Sequence, residues 1–519
     1  MLALAVCRAL MACGDDGPSV EVEVAPDTDA VGDVEADADD AGDAVGADVD
    51  ALDADLETAV DADDGEAWTS PFEPAPIEAD ADFRELFRHD RVQPIELRVT
   101  QSEWDALIAH MLEYAAIDGE MRSGRYFKAT FVYTAPDGHQ EVLEDVGFRT
   151  RGNTTRVLPE DADGLYHRAH FKLKFDATFD LTPGTPEYVT RDARRFRGLK
   201  EMNLKWDRDD DPSQIRELFA YEMFRRAGVL VPATAPVALT FTIGDTPVYF
   251  GVYLGLEEID KPFLARRLGG DQNDGDLYKC LWQGFGPATL EPITDPRAVG
   301  IKDWETNYRP AYDLATNEET SHHERLHALI DALATLDGEA LATWLDAHFD
   351  VEGFLRFLAM NVLVGMPDDY WAMGNNYYLY FGPERATFLP WDYDHGLGGG
   401  WGGEPVWSLD GIATADVFAW KNLNAAWWKP GTKHPLVDKI LVIPRYRARY
   451  VELLRAMLEP RNHLFALPEW EAIEAAQATL YAPLLVNDTG EGEVMEDTGV
   501  ERAYFVTKTQ SVESQLDGR

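Results

Sequence analysis

Alternating apolar and polar positions run through the first half of the chain after residue 67 and predict β-strands there. Two pairs of alternating segments flank the turn residues at 136–138 and 244–245, which predicts two hairpins. The segment HFKLKFDATF alternates in the same way and places Lys172 and Lys174 on one face of a strand. GLKEMNLKW predicts a further strand, so this half is expected to form a β-rich sheet.

Helical spacing appears once in the first half and dominates the second half. One helix is predicted after the N-cap Asp211, with Gly228 ending it. From about Asp303 to Gly365 the apolar residues recur every 3.6 positions, and helices return in YRARYVELLRAML and EWEAIEAAQATLYAPLL. NNYYLYF and ATFLPWDYD predict a short hairpin between these helices. The pattern therefore predicts an α+β protein with two lobes and a cleft, a β-rich N-terminal lobe at 67–255 and a mainly helical C-terminal lobe at 256–519.

Charge changes this picture at the N-terminus. The chain of 519 residues carries a net charge of -48, and residues 15–66 contain 21 Asp or Glu with no Lys or Arg. An acidic segment without aromatic residues cannot bury enough surface to fold, so 14–66 is predicted to be a disordered linker. The net charge argues against nucleic acid or an anionic membrane as the main partner.

The first 13 residues resemble a lipoprotein-type signal segment. An apolar run ends in LMAC, which would make Cys13 the lipidated residue, although Arg8 interrupts the run. The alternative is an apolar terminus without this role. The interpretation predicts an exported protein, either a cell-envelope lipoprotein or another cell-surface protein, whose only membrane contact is a lipid anchor. Elsewhere no stretch of 18 apolar residues occurs, and the three cysteines allow no internal disulfide framework.

The predicted hairpin carries a concentration of oxygen-bearing side chains. If its strands pair, Asn376 and Asp392 lie near the same end, with Asp394 two positions further on. Carboxylate and amide oxygens suit Mg²⁺ or Mn²⁺, and a cation would offset the repulsion between the aspartates. Ordinary turn chemistry is the alternative. The glycine-rich loop that follows is expected to leave room for a bulky ligand.

Seven segments in a fixed order extend this interpretation. They are VGFRTRGNTTR, HFKLKF, FRGLKEMNLKWDRDDDPSQIRELFAYEMFRRAGV, VYFGVYLGLEEIDKPFLARRL, GDLYK, NVLVGMPDDYWAMGNNYYLY and FLPWDYDHGLG. The series resembles the motifs of the CotH family of spore-coat protein kinases, from about Pro94 to Gly400. The resemblance implies an atypical protein-kinase-like fold, ATP with Mg²⁺ or Mn²⁺, and phosphorylation of Ser or Thr in a secreted or surface protein.

Matching the family motifs assigns roles to single residues. Asp368 corresponds to the catalytic aspartate, with its neighbour Asp369 as the alternative. Asn376, or Asn375 beside it, would help to hold the metal ion. Asp392 corresponds to the metal-binding aspartate, and Asp394 would assist it. Leu397 stands where the family usually has an aromatic residue.

A kinase of this kind also needs cations for the phosphates of ATP. The sequence offers Lys172, Lys174 and Lys200 as candidates, with Glu217 as the acidic partner on the predicted helix. A solvated strand face is the alternative for each lysine. Arg151 and Arg156 would contact phosphate. Glu257 and Glu258 lie where the lobes join and would mark the adenine region.

Two other classes of function remain open. His323-Glu324-Arg325-Leu326-His327 is an H-E-x-x-H motif, which in a helix would bind Zn²⁺ with Glu324 as base and Glu352 as a third ligand. This interpretation would make the protein a zinc metalloprotease; a solvated helix face is the alternative. The second class is a surface-binding or adhesion module that keeps the kinase-like fold but does not catalyse a reaction.

Overall fold

The computed structural model describes residues 68–118, 121–152, 156–206, 213–400, 409–425, 432–491, 495 and 499–517. The signal-like segment, the acidic linker and the predicted cap at Asp211 lie outside the described residues. All the elements below belong to one compact unit, Asp55–Arg519. In the described part of the chain, no helix combines the length and the apolar character needed to cross a membrane.

The fold is α+β, with two sheets. The strands are β1 Gln93–Val99, β2 Phe127–Thr134, β3 Gln140–Thr150, β4 Phe171–Lys174, β5 Glu201–Lys205, β6 Thr234–Ile243, β7 Thr246–Glu257, β8 Asp276–Cys280, β9 Val299–Gly300, β10 Tyr312–Leu314, β11 Tyr377–Phe381 and β12 Ala386–Pro390. The helices of the first half are α1 Ala81–Leu86, α2 Gln101–Asp118, α3 Pro186–Asp192, α4 Arg216–Arg226 and α5 Lys261–Leu268. Those of the second half are α6 Glu324–Thr335, α7 Gly338–His348, α8 Val351–Val364, α9 Tyr370–Met373, α10 Leu409–Thr414, α11 Pro435–Ile440, α12 Pro444–Leu458, α13 Leu467–Tyr481 and α14 Val500–Asp517.

The seven strands of the first half close into a barrel in the order β1-β2-β3-β4-β5-β7-β6. Both predicted hairpins are present as β2–β3 and β6–β7. The sequence analysis expected only a sheet; closure comes from the parallel pairing of β1 with β6, in which Gln93 lies opposite Val237. Alternate side chains fill the interior, where Trp104 contacts Phe148 and Phe241. Closure removes the open edges that a sheet of this size would expose.

The second half is helical around a five-stranded sheet of order β12-β11-β8-β10-β9. The predicted hairpin is confirmed as β11–β12, with Tyr377 opposite Pro390. The expected helical start near Asp303 is wrong, because β10 and a loop occupy that stretch and α6 begins only at Glu324. Phe388 of this hairpin stacks on Tyr377 and packs against Phe354 and Phe357 of α8.

Helix α4 begins later than the sequence predicts. Gln214 has a φ of 55°, a left-handed conformation that cannot continue a right-handed helix, and Ile215 becomes the N-cap without a side-chain cap bond. The predicted end is close to the observed one, because Gly228 with a φ of 81° follows the C-cap Ala227. The late start places Arg216 and Glu217 in the first turn of α4.

Candidate active site

A buried lysine joins the barrel to the loop that follows β12. Lys205 is the last residue of β5, and its Nζ lies 2.5 Å from both Glu217 of α4 and Asp392. Asp394 lies 3.5 Å away. One ammonium group therefore holds together three carboxylates from two distant parts of the chain.

These charges depend on one another. Burial alone would lower the pKa of Lys205, but Asp392, Asp394 and Glu217 more than offset this effect, and the pKa is raised. Burial raises the pKa of Glu217, and the two aspartates add to the rise while Lys205 opposes it. Burial would also raise the pKa of Asp392, but Lys205 reverses the direction and lowers it. Lys205 thus remains charged, and Asp392 remains a carboxylate.

Asp368 lies close enough to Asp392 and Asp394 to feel their charge, and it is held by two amides. Asn375 Nδ2 donates to its Oδ1 at 2.8 Å, and Asn376 Nδ2 donates to its Oδ2 at 2.9 Å. Burial raises the pKa of Asp368 well above the usual value, against the Asn375 hydrogen bond, and Asp392 and Asp394 raise it further by repulsion. The carboxylate is therefore oriented and more basic than an ordinary aspartate.

The neighbouring Asp369 has a different environment. Its side chain caps α9 by accepting from Ala372 N at 2.7 Å and also accepts from Asn361 Nδ2. The residue is 1% exposed, whereas Asp368 is half-buried. Asp369 thus serves local structure, whereas Asp368 is the aspartate whose pKa responds to Asp392 and Asp394.

The oxygen donors at the end of the β11–β12 hairpin fit a hard divalent cation. Trp391 N donates to Asn376 O at 3.2 Å, which brings Asn376 beside Asp392 as the pairing predicts. Asn376 and Asp392 both adopt left-handed backbone conformations, with φ of 53° and 65°. Asn376 donates to Asp368 through Nδ2, so its Oδ1 is an acceptor beside Asp392, and Asp394 follows two positions later. Two carboxylates and one amide oxygen suit Mg²⁺ or Mn²⁺.

The glycines after Asp394 make room for protein atoms. A Cβ at Gly399 would overlap the guanidinium of Arg216, and one at Gly396 would lie 3.1 Å from Val364 O. Gly398 has a φ of 83° and packs against the ring of Tyr504. The sequence analysis expected this loop to leave space for a ligand. At Gly396–Gly399 the loop instead packs closely against α4, α8 and α14.

Two cations flank the ring of Trp391, the residue before Asp392. The Lys279 ammonium lies 4.7 Å from the ring centroid, and the Arg151 guanidinium lies 5.5 Å from it. No carboxylate of the described residues lies within ion-pair distance of either group, and Arg151 Nη1 is buried without a hydrogen bond. Burial lowers the pKa of Lys279 to about 7, with Glu258 opposing and Arg151 adding to the decrease. The two cations Lys279 and Arg151 could together bind an anion.

The three lysines chosen from the sequence pair with other carboxylates. Lys172 pairs with Glu201 at 2.7 Å and Glu258 at 3.0 Å. Lys174 lies 3.1 Å from Asp176, and Lys200 lies 3.6 Å from the same carboxylate. None of them contacts Glu217, whose lysine partner is Lys205. Of the residues chosen for the phosphate region, Glu217 lies at this site as the partner of Lys205, and Arg151 lies over Trp391.

Glu257 and Glu258 follow each other at the end of β7 but have separate contacts. Glu257 is fully buried and forms ion pairs with Arg266 and Arg267 at 2.6 Å. Glu258 accepts from Asn203 Nδ2 at 2.6 Å besides its pair with Lys172. Glu257 therefore ties α5 to the barrel, while Glu258 and Lys172 line the junction with the second sheet.

The residues of the H-E-x-x-H motif are not arranged as in a zinc-binding helix. His323 precedes α6 with a φ of 61°, and its Nδ1 lies 2.9 Å from the Tyr278 hydroxyl. Glu352 instead pairs with Arg356 and Arg449 at 2.9 and 2.8 Å. Among the described residues, no group of three or more His, Cys, Asp or Glu is placed to hold a metal ion. The metalloprotease interpretation therefore lacks its expected ligand set.

The sequence analysis did not select Lys205 and Lys279, which lie beside Asp392 and Trp391. Both belong to segments quoted above, MNLKW and GDLYK. In β5 the alternation places Lys205 on the same side as Asn203 and Glu201, the face that meets Lys172 and Glu258. This alternation adds Lys205 to the candidate lysines of β4 without distinguishing it from them.

Comparisons with known proteins agree with this ordered arrangement. The family described as CotH kinase protein matches residues 148–513. Inner spore coat protein H of Bacillus subtilis (strain 168) is 28% identical over 206 residues, which are 39% of this chain and 51% of that protein. Invasin CotH2 of Rhizopus delemar is 26% identical over 200 residues, 37% of this chain and 31% of that protein. The chain thus spans about half or less of the length of these relatives. Because the family match covers most of the chain and includes every residue of the candidate active site, the protein belongs to the CotH kinase protein family.

Proposed function

We propose that this chain is a CotH-like kinase that transfers the γ-phosphoryl group of ATP to Ser or Thr of a surface or secreted protein, using a divalent cation. The observation that carries the proposal is the convergence of Lys205, Glu217 and Asp392 beside Asp368. A lysine fixed by a helical glutamate, a metal-binding aspartate and a separate base are the parts that kinases use for phosphoryl transfer. With this assignment the barrel and the second sheet with its helices correspond to the two lobes of an atypical kinase-like fold.

Each residue of the candidate active site has a distinct role in the proposed phosphoryl transfer. Lys205, held by Glu217, neutralises phosphate charge. Asp368, oriented by the two asparagine amides, accepts the proton of the acceptor hydroxyl, and its raised pKa favours that transfer. Asp392 and Asn376, with Asp394, would hold the metal ion. When bound, Mg²⁺ or Mn²⁺ supplies positive charge that offsets the charge of the triphosphate.

The direct test is incubation of the purified protein with γ-labelled ATP and either Mg²⁺ or Mn²⁺. Label transferred to the protein itself or to an added Ser- and Thr-rich acidic or basic peptide supports the proposal. If the protein binds ATP but transfers no label to itself or to any peptide with either cation, the proposal is contradicted. The acceptor is proposed only as a class, a surface or secreted protein.

Mg²⁺-ATP is expected to raise the melting temperature of the wild-type protein, and Asp392→Asn is expected to abolish the increase. A ligand that binds only the native state adds about 2.7 kcal/mol to the free energy of unfolding at a concentration of 100 Kd. Asp313→Asn is the matched control, because Asp313 pairs with Lys302 at 2.9 Å outside the metal site. An Asp392→Asn protein that responds like wild type would show that this residue does not bind the metal.

Lys279→Met is expected to weaken ATP binding by about tenfold or more while affecting adenosine binding far less. A charge-assisted hydrogen bond contributes roughly 1.5–3 kcal/mol, and each 1.4 kcal/mol is tenfold in affinity. The measurement is a titration of both ligands against wild type and variant. Lys302→Met serves as the control, since Asp313 already neutralises that lysine. An equal loss for ATP and adenosine would rule out a phosphate contact.

The second candidate is a surface-binding module without catalysis. It is favoured by the similarity to a relative named as an invasin. Both candidates place the protein at the cell surface or outside the cell, in agreement with the predicted signal-like segment and Cys13. Binding to intact cells that persists in Asp368→Asn and Asp392→Asn proteins would favour the adhesion function, whereas label transfer by the wild type alone favours the kinase.

A further inference from the structure

The C-terminal helix α14 contacts three segments that carry the candidate active site. Glu501, in its first turn, pairs with Arg216 of α4. The Tyr504 hydroxyl donates to Leu363 O at 2.9 Å, near the end of α8 and shortly before Asp368. The ring of Tyr504 also packs against Gly398, in the loop that follows Asp394. One helix therefore connects the elements that bear Glu217, Asp368 and Asp394.

The ion pair between Arg216 and Glu501 is the most buried of these contacts. Arg216 Nε donates to Glu501 Oε1 at 2.9 Å, and Arg216 Nη2 lies 2.8 Å from the same oxygen. The two residues are 3% and 1% exposed. Removing two charges from water is costly, and a hydrophobic pair of similar size is often as stabilising or more so. Stability alone therefore gives a weak account of this pair.

The orientation of α4 explains the Arg216–Glu501 ion pair better than stability does. Arg216 and Glu217 are consecutive in the first turn, so one faces α14 while the other faces Lys205. The N-cap Ile215 has no polar side chain, and the buried Arg216–Glu501 pair joins this turn to α14. Because a Cβ at Gly399 would overlap the Arg216 guanidinium, the same group also fixes the loop after Asp394.

We propose that Arg216 and Glu501 are positioning residues for phosphoryl transfer: their ion pair sets the first turn of α4 so that Glu217 holds Lys205 against Asp392. The inference rests on the proposed kinase function and assigns the C-terminal helix to the catalytic unit. It also explains why a glycine stands at position 399. Neither residue touches the reacting groups, so the effect acts through Glu217 and the loop.

The test is the double variant Arg216→Met with Glu501→Leu, which removes both charges and leaves neither alone in the interior. We expect its melting temperature to match that of the wild type, with kcat reduced by about 10²-fold and a much smaller change in KM for ATP, since displacement of a catalytic group by about 1 Å has effects of that size. Arg502→Met is the matched control: Arg502 follows Glu501 in α14 and pairs with Glu471 and Glu474 of α13, so kcat is expected to stay near the wild-type value.

A folded double variant with wild-type kcat would overturn the positioning role. If the double variant does not fold, Arg216→Lys replaces it, because a lysine keeps the charge but cannot reproduce the two contacts of the guanidinium. A lower kcat in folded Arg216→Lys supports the proposal, and an unchanged kcat overturns it. Absence of transfer by the wild-type protein would instead overturn the kinase function itself, which separates the two failures.

Discussion

Asp368→Asn is expected to reduce phosphoryl transfer by about 10²–10⁴-fold, the usual contribution of a positioned general base. Binding of Mg²⁺-ATP is expected to remain, because Asp368 handles the acceptor hydroxyl and Lys205 with Asp392 handles the nucleotide. Asparagine keeps the size of the side chain, and its Oδ1 can still accept one of the two hydrogen bonds from Asn375 and Asn376. The measurements are label transfer from ATP and the ligand-induced increase in melting temperature.

Asp369→Asn is the matched control for this variant. Asparagine caps a helix about as well as aspartate, so the cap of α9 is retained, and transfer is expected to stay near the wild-type rate. Transfer that survives Asp368→Asn but is lost in Asp369→Asn would move the catalytic role by one position.

His323→Ala with His327→Ala is expected to leave transfer unchanged, since surface substitutions usually alter stability by about 0.5 kcal/mol. Zinc and peptidase activity that disappear together in this double variant would favour the metalloprotease.

The predicted elements that the structure confirms rest on local patterns. The hairpins β2–β3, β6–β7 and β11–β12 each combine alternation with turn residues, so the information lies within about 25 neighbouring positions. The parallel pairing of β1 with β6 joins strands separated by most of the barrel sequence, and nothing in either strand alone specifies it. Barrel closure was missed for this reason.

The candidate site shows the same division. Asn376 and Asp392 could be placed together because one hairpin carries both. The family motif favoured Asp368 but left Asp369 open, and the contact by which Asp369 caps α9 is visible only in the folded chain. The lysine partner of Glu217 could not be chosen, because several strand lysines share the same alternating pattern. The contact of Lys205 with Asp392 spans 187 positions and exists only in the folded chain.

The other large effect is expected at that lysine. Lys205→Met is expected to reduce phosphoryl transfer by about 10²–10³-fold, the range found when one preorganised charge-stabilising group is removed from an active site. The variant also leaves Glu217, Asp392 and Asp394 close together without their shared ammonium group. Repulsion among these carboxylates is expected to lower the melting temperature in the absence of metal.

This electrostatic change has a specific consequence for metal binding. Without the competing ammonium, Mg²⁺ or Mn²⁺ alone is expected to raise the melting temperature of the Lys205→Met protein more than that of the wild type, because a cation then offsets the carboxylate repulsion. Lys200→Met is the control, since Lys200 lies on the outside of the barrel, 3.6 Å from Asp176, and both its transfer rate and its response to metal are expected to match the wild type. A Lys205→Met protein that transfers phosphate normally, or a Lys200→Met protein with the same loss, would show that the lysine of this site has been misassigned.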